Sequence, residues 1–186
     1  MKYWLITDPH LGHDKLVEHG CRPAGYTERI LKNISQMVSD EDILINLGDI
    51  CFGNEDHWHQ RLCEATKARK WLVKGNHDKR TITWYLEHGW DFVCYTFRND
   101  MFGQKVRFSH KPVEDDGHYT LNIHGHFHDI PPIRHEPELV AIKNKKQRLI
   151  SMEWSNYQPI TLEHAIQKWN PKKFKYNMSA VNPEDS

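Results

Sequence analysis

Residues 71–78 read Trp71-Leu72-Val73-Lys74-Gly75-Asn76-His77-Asp78. Three apolar residues suit a short buried strand, and the polar cluster behind them opens on a glycine, a turn former. The same order recurs along the chain. Lys2 to Thr7 reads as a buried strand that ends in Asp8-Pro9-His10, and Ile43 to Leu47 is an apolar run that ends in Gly48-Asp49. Gln104 to Ser109 reads as a strand that stops at His110-Lys111-Pro112, and Tyr119 to Ile123 as one that enters Gly125-His126-Phe127-His128. Five polar clusters therefore follow five strand ends. In open α/β sheets, ligands bind outside the carboxyl ends of the strands, so the five clusters are placed to converge.

Helical patterns separate the early strands. Ile30, Ile34, Met37 and Val38 recur at helical spacing within Tyr26 to Val38, with Leu31 beside them. Glu55 to Ala65 and Arg80 to Glu87 read as further helices, the latter stopped by Gly89. The second half is richer in strands. Asp91 to Phe97 and Gln104 to Ser109 form a hairpin about a turn at Asn99 to Gly103, and Arg148 to Glu153 is a later strand. Pro131 and Pro132 begin a loop, and Thr161 caps a short helix to Trp169. Mixed sheets with flanking helices are the expected architecture. Residues 1–170 read as one domain without repeat or linker, and residues 171–186 as a polar tail.

Composition narrows the function classes. With 186 residues and 38% hydrophobic content, one domain has enough apolar material for a core. Lys plus Arg equals Asp plus Glu at 25 each, so no net charge draws the chain to nucleic acid or anionic membrane. The four cysteines, Cys21, Cys51, Cys63 and Cys94, form no CxxC pair and match no zinc-finger spacing. No apolar run is long enough to span a bilayer, and Met1 to Ile6 lacks the apolar core of a signal peptide. The expected location is cytoplasmic, in a bacterial cell or a phage-infected host, with reduced thiols. Histidine is abundant, at 14 residues, and histidine is the commonest metal ligand.

In order, the clusters supply Asp8 and His10, Asp49, Asn76 and His77, His110, and His126 and His128. Each is weak alone; five in a fixed order, all behind strands, are not. The set resembles the calcineurin-like metallophosphoesterases, whose motifs run D-x-H, G-D, G-N-H-D/E, H and G-H-x-H, and Leu149 to Leu162 is similar to the end of small bacterial and phage members. The resemblance implies a four-layer αββα sandwich of two mixed β-sheets flanked by helices. It implies two divalent metal ions. Asp8, His10 and His128 would hold one ion, Asn76, His110 and His126 the other, and Asp49 would bridge them. It also implies hydrolysis of a phosphoester by a hydroxide held between the ions, with His77 as the general acid that protonates the leaving oxygen. Oxygen and imidazole donors without thiolate favour Mn²⁺ foremost, with Fe²⁺, Zn²⁺, Ni²⁺ or Co²⁺ as the other candidates. An imidazole suits the acid's task near neutral pH.

His13 and Arg22 are candidate phosphate contacts. His124 reads as a strand residue, His57 and His59 as helix surface, and Lys143, Lys145, Lys146 and Arg148 as a solvated basic loop. Two departures narrow the resemblance. Asp49 is followed by Ile50-Cys51-Phe52-Gly53, not by the remainder of the protein-phosphatase motif G-D-x-V-D-R-G. His77 is retained, whereas some small bacterial phosphodiesterases of the family replace it. The expected substrate is a phosphodiester of the nucleotide or nucleic-acid-end type. A phosphomonoesterase acting on a small phosphorylated metabolite or nucleotide is the alternative. A non-catalytic scaffold of the same fold, like the retromer subunit that shares it, would not need a complete ligand set.

Overall fold

The computed structural model describes residues 1–128 and 146–168. The basic positions Lys143 and Lys145, the loop at Pro131 and Pro132, the end of the last helix at Trp169 and the polar tail lie outside them. The first sheet has strand order β4-β3-β2-β1-β9: β1 (Tyr3–Ile6), β2 (Ile43–Asn46), β3 (Arg69–Val73) and β4 (Phe92–Cys94) run parallel, and β9 (Ile160–Thr161) is an antiparallel edge on β1. The second has order β5-β6-β7-β8. There β6 (Gln104–Ser109), β7 (Leu121–His124) and β8 (Gln147–Leu149) are parallel, and β5 (Thr96–Met101) is antiparallel to β6. Two mixed sheets with flanking helices are thus present, as expected.

Alternation along the central strands divides the core in two. Trp4, Ile6, Leu44 and Leu72 face α2 (Tyr26–Met37), α3 (Glu55–Ala65) and α4 (Ile82–Glu87), through Ile30, Ile34, Leu62 and Tyr85. Leu5, Ile43, Ile45 and Val73 face the second sheet, where Val106, Phe108, Leu121 and Ile123 meet them. Strands apolar on both faces are what a buried parallel sheet requires. Side chains cap three helices: Asn54 accepts from His57 N, Thr81 from Trp84 N and Thr161 from His164 N. Thr161 opens α5 (Leu162–Gln167), which packs against the sheet interface through Leu162, Ala165 and Ile166. The short α1 (Asp14–Glu18) and β9 were not signalled by periodicity, being too brief to show any.

Two expected strands differ. The run from Asp91 to Phe97 is divided at Tyr95: β4 closes the edge of the first sheet, and β5 begins the second. The phase of alternation changes at the crossing: Val93 faces the helix-side core, whereas Cys94 and Phe97, three residues apart, both face the inter-sheet core. The strand expected over Arg148 to Glu153 ends at Leu149. The chain then turns through 152–157, where Asn156 and Tyr157 take left-handed backbone angles, φ 56° and 60°. That turn carries Ser151 and Glu153 beneath the strand ends instead of extending β8.

One buried carboxylate fixes the start of the first sheet. Asp42 accepts from Trp4 Nε1 at 2.9 Å, Lys2 N at 2.6 Å and Ser39 N at 3.2 Å. Asp42→Ala leaves the Trp4 donor buried without a partner, and the expected loss is about 2 kcal/mol of stability. The urea midpoint measures it; a variant as stable as the parent would remove Asp42 from this role.

Candidate functional site

The loops behind β1 and β2 run side by side and are joined by backbone hydrogen bonds: Asp8 N to Gly48 O (2.9 Å), His10 N to Asp49 O (3.0 Å) and Leu11 N to Ile50 O (2.9 Å). Asp78, 6% exposed, binds the loop behind β3 to them. Its carboxylate accepts from Asp49 N (2.8 Å), Ile50 N (3.1 Å) and Gly75 N (2.7 Å). Eight non-glycine residues among those described have positive φ, and five of them are Asp8 (49°), His10 (44°), Asp49 (57°), His126 (75°) and His128 (51°). Such a backbone costs about 1–3 kcal/mol at each residue and persists where the surroundings over-determine it. Here it turns each chain back at the strand end and aims the side chain into one crevice.

Glycines admit the close approach. A Cβ on Gly75 would lie 2.1 Å from Asp49 Oδ1, and one on Gly125 would lie 1.8 Å from Thr7 Oγ1 and 2.3 Å from Asp8 Oδ2. The glycines in the G-N-H-D and G-H-x-H runs are therefore steric requirements of the crevice.

Two groups of side chains meet there. Asp8, His10 and His128 bring ligand atoms within 4.8 Å of one another, and so do Asp49, His110 and His126. Asp49 lies between them. Its Oδ1 accepts from His77 N at 2.8 Å, while its Oδ2 is 3.3 Å from His110 Nε2, 3.8 Å from His10 Nε2 and 4.0 Å from His77 Nε2. Asn76 Oδ1 is 2.9 Å from His110 Nε2, which is 3.1 Å from His126 Nδ1. The crevice thus brings together all seven residues expected as ligands.

The electrostatics match a cation site. Burial opposes protonation of His110, but its bond to Asp49 and the charges of Asp8 and Asp49 outweigh this and raise it to about 9. Burial pushes the Asp49 carboxyl upward, and the His110 contact overrides it and holds the group well below the carboxylate range. Burial, reinforced by His128, keeps His10 well below its ordinary value. Two buried donor atoms in this crevice, Asp8 Oδ1 and His10 Nδ1, have no hydrogen-bond partner. Buried polar atoms are seldom left so, and an ion is one of the groups that accounts for them. Carboxylate, amide and imidazole donors without thiolate fit divalent ions of the borderline kind.

An ion pair between the buried Arg22 and Glu153 supports the floor. Arg22, 4% exposed, donates to Pro9 O and Asp8 O, both at 2.8 Å, and through Nε and Nη2 to Glu153 Oε1 at 2.8 and 2.7 Å. His128 Nδ1 lies 3.1 Å from both Arg22 Nη2 and Glu153 Oε1. The two hydrogens on Nη2 are taken by Asp8 O and Glu153, so His128 Nδ1 carries its own proton and donates it to Glu153. That leaves Nε2 facing Asp8 Oδ1, 3.9 Å away. Burial pushes the Glu153 carboxyl up, but the His128 bond and the Arg22 charge hold it well below the carboxylate range.

Other expectations divide. Arg22 is not at the mouth as a phosphate contact: its guanidinium lies under the site, engaged by the Asp8–Pro9 backbone and Glu153. His13 is at the rim, its ring stacked on Phe52 with centroids 4.1 Å apart. The His77 side chain is 42% exposed at the edge of the crevice. His124 lies in β7, buried, and burial lowers it to about 4. His59 is not helix surface: it is 2% exposed and accepts from Trp90 Nε1 at 2.9 Å. In the basic run, Lys146 pairs with Asp115 and Arg148 donates to Ala165 O. Sequence reading assigned no task to Asp78 or Glu153. Asp78 could have been found from its place in the G-N-H-D run, whereas nothing near Glu153 indicates the arginine it meets 131 residues away.

The family described as Metallophos, calcineurin-like phosphoesterase, matches residues 1–177. The chain is 30% identical over 173 residues to an uncharacterized protein of Methanocaldococcus jannaschii, MJ1445, covering 87% of this chain and 88% of that one. Its fold is similar to the crystal structure of AQ665, a protein of unknown function from Aquifex aeolicus. The TM-score is 0.69 at 23% identity, over 88% of this chain and 96% of that one.

Glu153→Gln removes the charge opposite a buried guanidinium and is expected to lower stability by about 3 kcal/mol. Urea unfolding measures it, and an unchanged midpoint would show that Arg22 does not depend on the pair.

Proposed function

The chain belongs to the calcineurin-like phosphoesterase family, whose members are dimetal-dependent, and from that premise we propose that it is a hydrolase of phosphodiesters of the nucleotide or nucleic-acid-end type. The observation that carries the proposal is the position of Asp49 between two groups of ligand atoms, with His77 at the edge of both. Asp8, His10 and His128 would hold one divalent ion, Asn76, His110 and His126 would hold the other, and Asp49 would serve both. Mn²⁺ is the proposed metal, because oxygen and imidazole donors suit it and Mg²⁺ accepts imidazole poorly. When bound, two such ions activate a water and neutralise charge on the phosphoryl group.

The chain's own groups do the remainder. Asn76 adds an oxygen donor without charge, which leaves the centre cationic enough to attract phosphate. His77 is anchored through its backbone N on Asp49 Oδ1, and its exposed ring faces the crevice. It gives a proton to the departing oxygen, the step for which an alkoxide needs help. His13 lies beside it at the rim and is proposed to touch the substrate. The exposure of Asn76 and His77 supports an open mouth, which admits a diester with a group on each side of phosphorus. Among the described residues no helix is long and apolar enough to cross a membrane.

Asp49→Ala is expected to lose both equivalents of Mn²⁺ after dialysis, measured by elemental analysis. Two retained equivalents would show that Asp49 does not serve both ions. His77→Asn is expected to keep both ions and lose roughly 10²–10⁴-fold in kcat on an alkyl diester. A nitrophenyl diester, whose leaving group departs unprotonated, is expected to lose much less. Equal losses on both esters, with a metal shed, would make His77 a ligand.

A further inference from the structure

Seven large apolar side chains are exposed among the described residues, and single exposed apolar residues are ordinary. Phe52 stands apart because its ring lies against the candidate site. It is 43% exposed, stacked on His13 at a centroid distance of 4.1 Å and an interplanar angle of 7°, and 5.9 Å from the His77 ring. The His77 ring in turn lies 5.4 Å from His10. A flat aromatic surface therefore begins one ring away from the proposed acid and faces outward.

The exposure is not that of a loosely held loop. Phe52 N donates to Leu11 O at 2.9 Å, Leu11 N donates to Ile50 O at 2.9 Å, and Leu11 and Cys51 form a parallel bridge. Leu11, Ile50 and Cys51 are all buried. The hydrogen bonds that shape the crevice thus continue to Phe52 and fix its backbone, so the surface is present before any ligand arrives. A pre-organised aromatic face next to a phosphate site suits a phosphate ester that carries a planar ring.

We propose that Phe52, backed by His13, is a stacking surface for the nucleobase of the substrate, so that the substrate class is a nucleoside phosphate with its phosphorus at the metal crevice and its base on Phe52. The inference rests on the phosphoesterase reading and adds what that reading leaves open, the identity of the group beside the phosphate. The ribose spans the interval between crevice and ring. Stacking tolerates all four bases, because each presents a π-face, so little base preference is expected.

The test is calorimetric titration of the Mn²⁺-loaded protein with adenosine 5′-monophosphate and with ribose 5-phosphate, which lacks the base. A 5′-phosphorylated dinucleotide is a third ligand. The parent protein is expected to bind the nucleotide roughly 5- to 100-fold more tightly than the sugar phosphate. Phe52→Ala should abolish that ratio while leaving ribose 5-phosphate affinity unchanged, and Phe52→Trp should restore it. The nucleotide or dinucleotide, whichever shows the larger Phe52-dependent gain, identifies a free nucleotide or a strand end as the source of the base. Equal affinity of the parent for the two monophosphates, or a ratio that survives Phe52→Ala, would overturn the proposal. Binding of none of the three, together with no hydrolysis of any diester, would overturn the phosphoesterase reading and this proposal with it.

Discussion

The carboxylate of Asp78 accepts three backbone N–H groups, from Asp49, Ile50 and Gly75, and the rest of the crevice depends on that grip. It binds the loop behind β3 to the loop behind β2, which is already joined to the loop behind β1 through Asp8, His10 and Leu11. Asp49 is thereby held in a left-handed conformation that an aspartate in an unsupported loop would leave. Burial and the neighbouring Asp49 charge raise the Asp78 carboxyl above its ordinary value, and its backbone donors only partly offset that.

The same economy appears on the other side of the crevice. Arg22 is buried and Glu153 largely covered, and each is satisfied by groups that also shape the site: the carbonyls of Asp8 and Pro9, the imidazole of His128 and the Ser151 hydroxyl. Tyr26 adds a hydroxyl donated to the His10 carbonyl. His128 and His110 are thus held at their Nδ1 atoms, by Glu153 and by Leu47 O respectively, leaving their Nε2 atoms toward Asp8 and Asp49. Asp49 Oδ2, with three imidazole nitrogens within 4.0 Å, is where those atoms come closest together. Such a centre is built for cations, and the phosphoesterase reading follows from what cations at that point can draw in.

Much of this was legible in the chain. The helices at Tyr26 and Glu55 begin where the sequence reading places them, and β1, β2 and β3 stand where short apolar runs precede polar clusters. All seven expected ligands lie in the crevice, because the residues behind parallel strands share one edge of a sheet. The division at Tyr95 was not legible: a short apolar run does not say which sheet each part of it joins, and the break in phase shows only once the partners of Val93, Cys94 and Phe97 are known. Nor was the turn after Leu149, where an apolar run with strand-like composition bends to deliver Glu153.

What the sequence by itself determined is the list of donors and their order, since residue type decides which atoms can bind a cation and strand ends decide where they are presented. It also determined that the glycines belong beside them. Only the tertiary structure decided how each donor is used. Arg22 is as capable of meeting phosphate as any arginine, but folding places Glu153 against it and draws it beneath the floor. His59 has the look of a surface residue until Trp90 covers it. Phe52 is one exposed ring among several until the backbone sets it against His13 and His77. In each case the deciding partner lies far away in sequence. Local periodicity registers which face of an element is apolar, whereas the pairing of one side chain with another depends on which elements pack together.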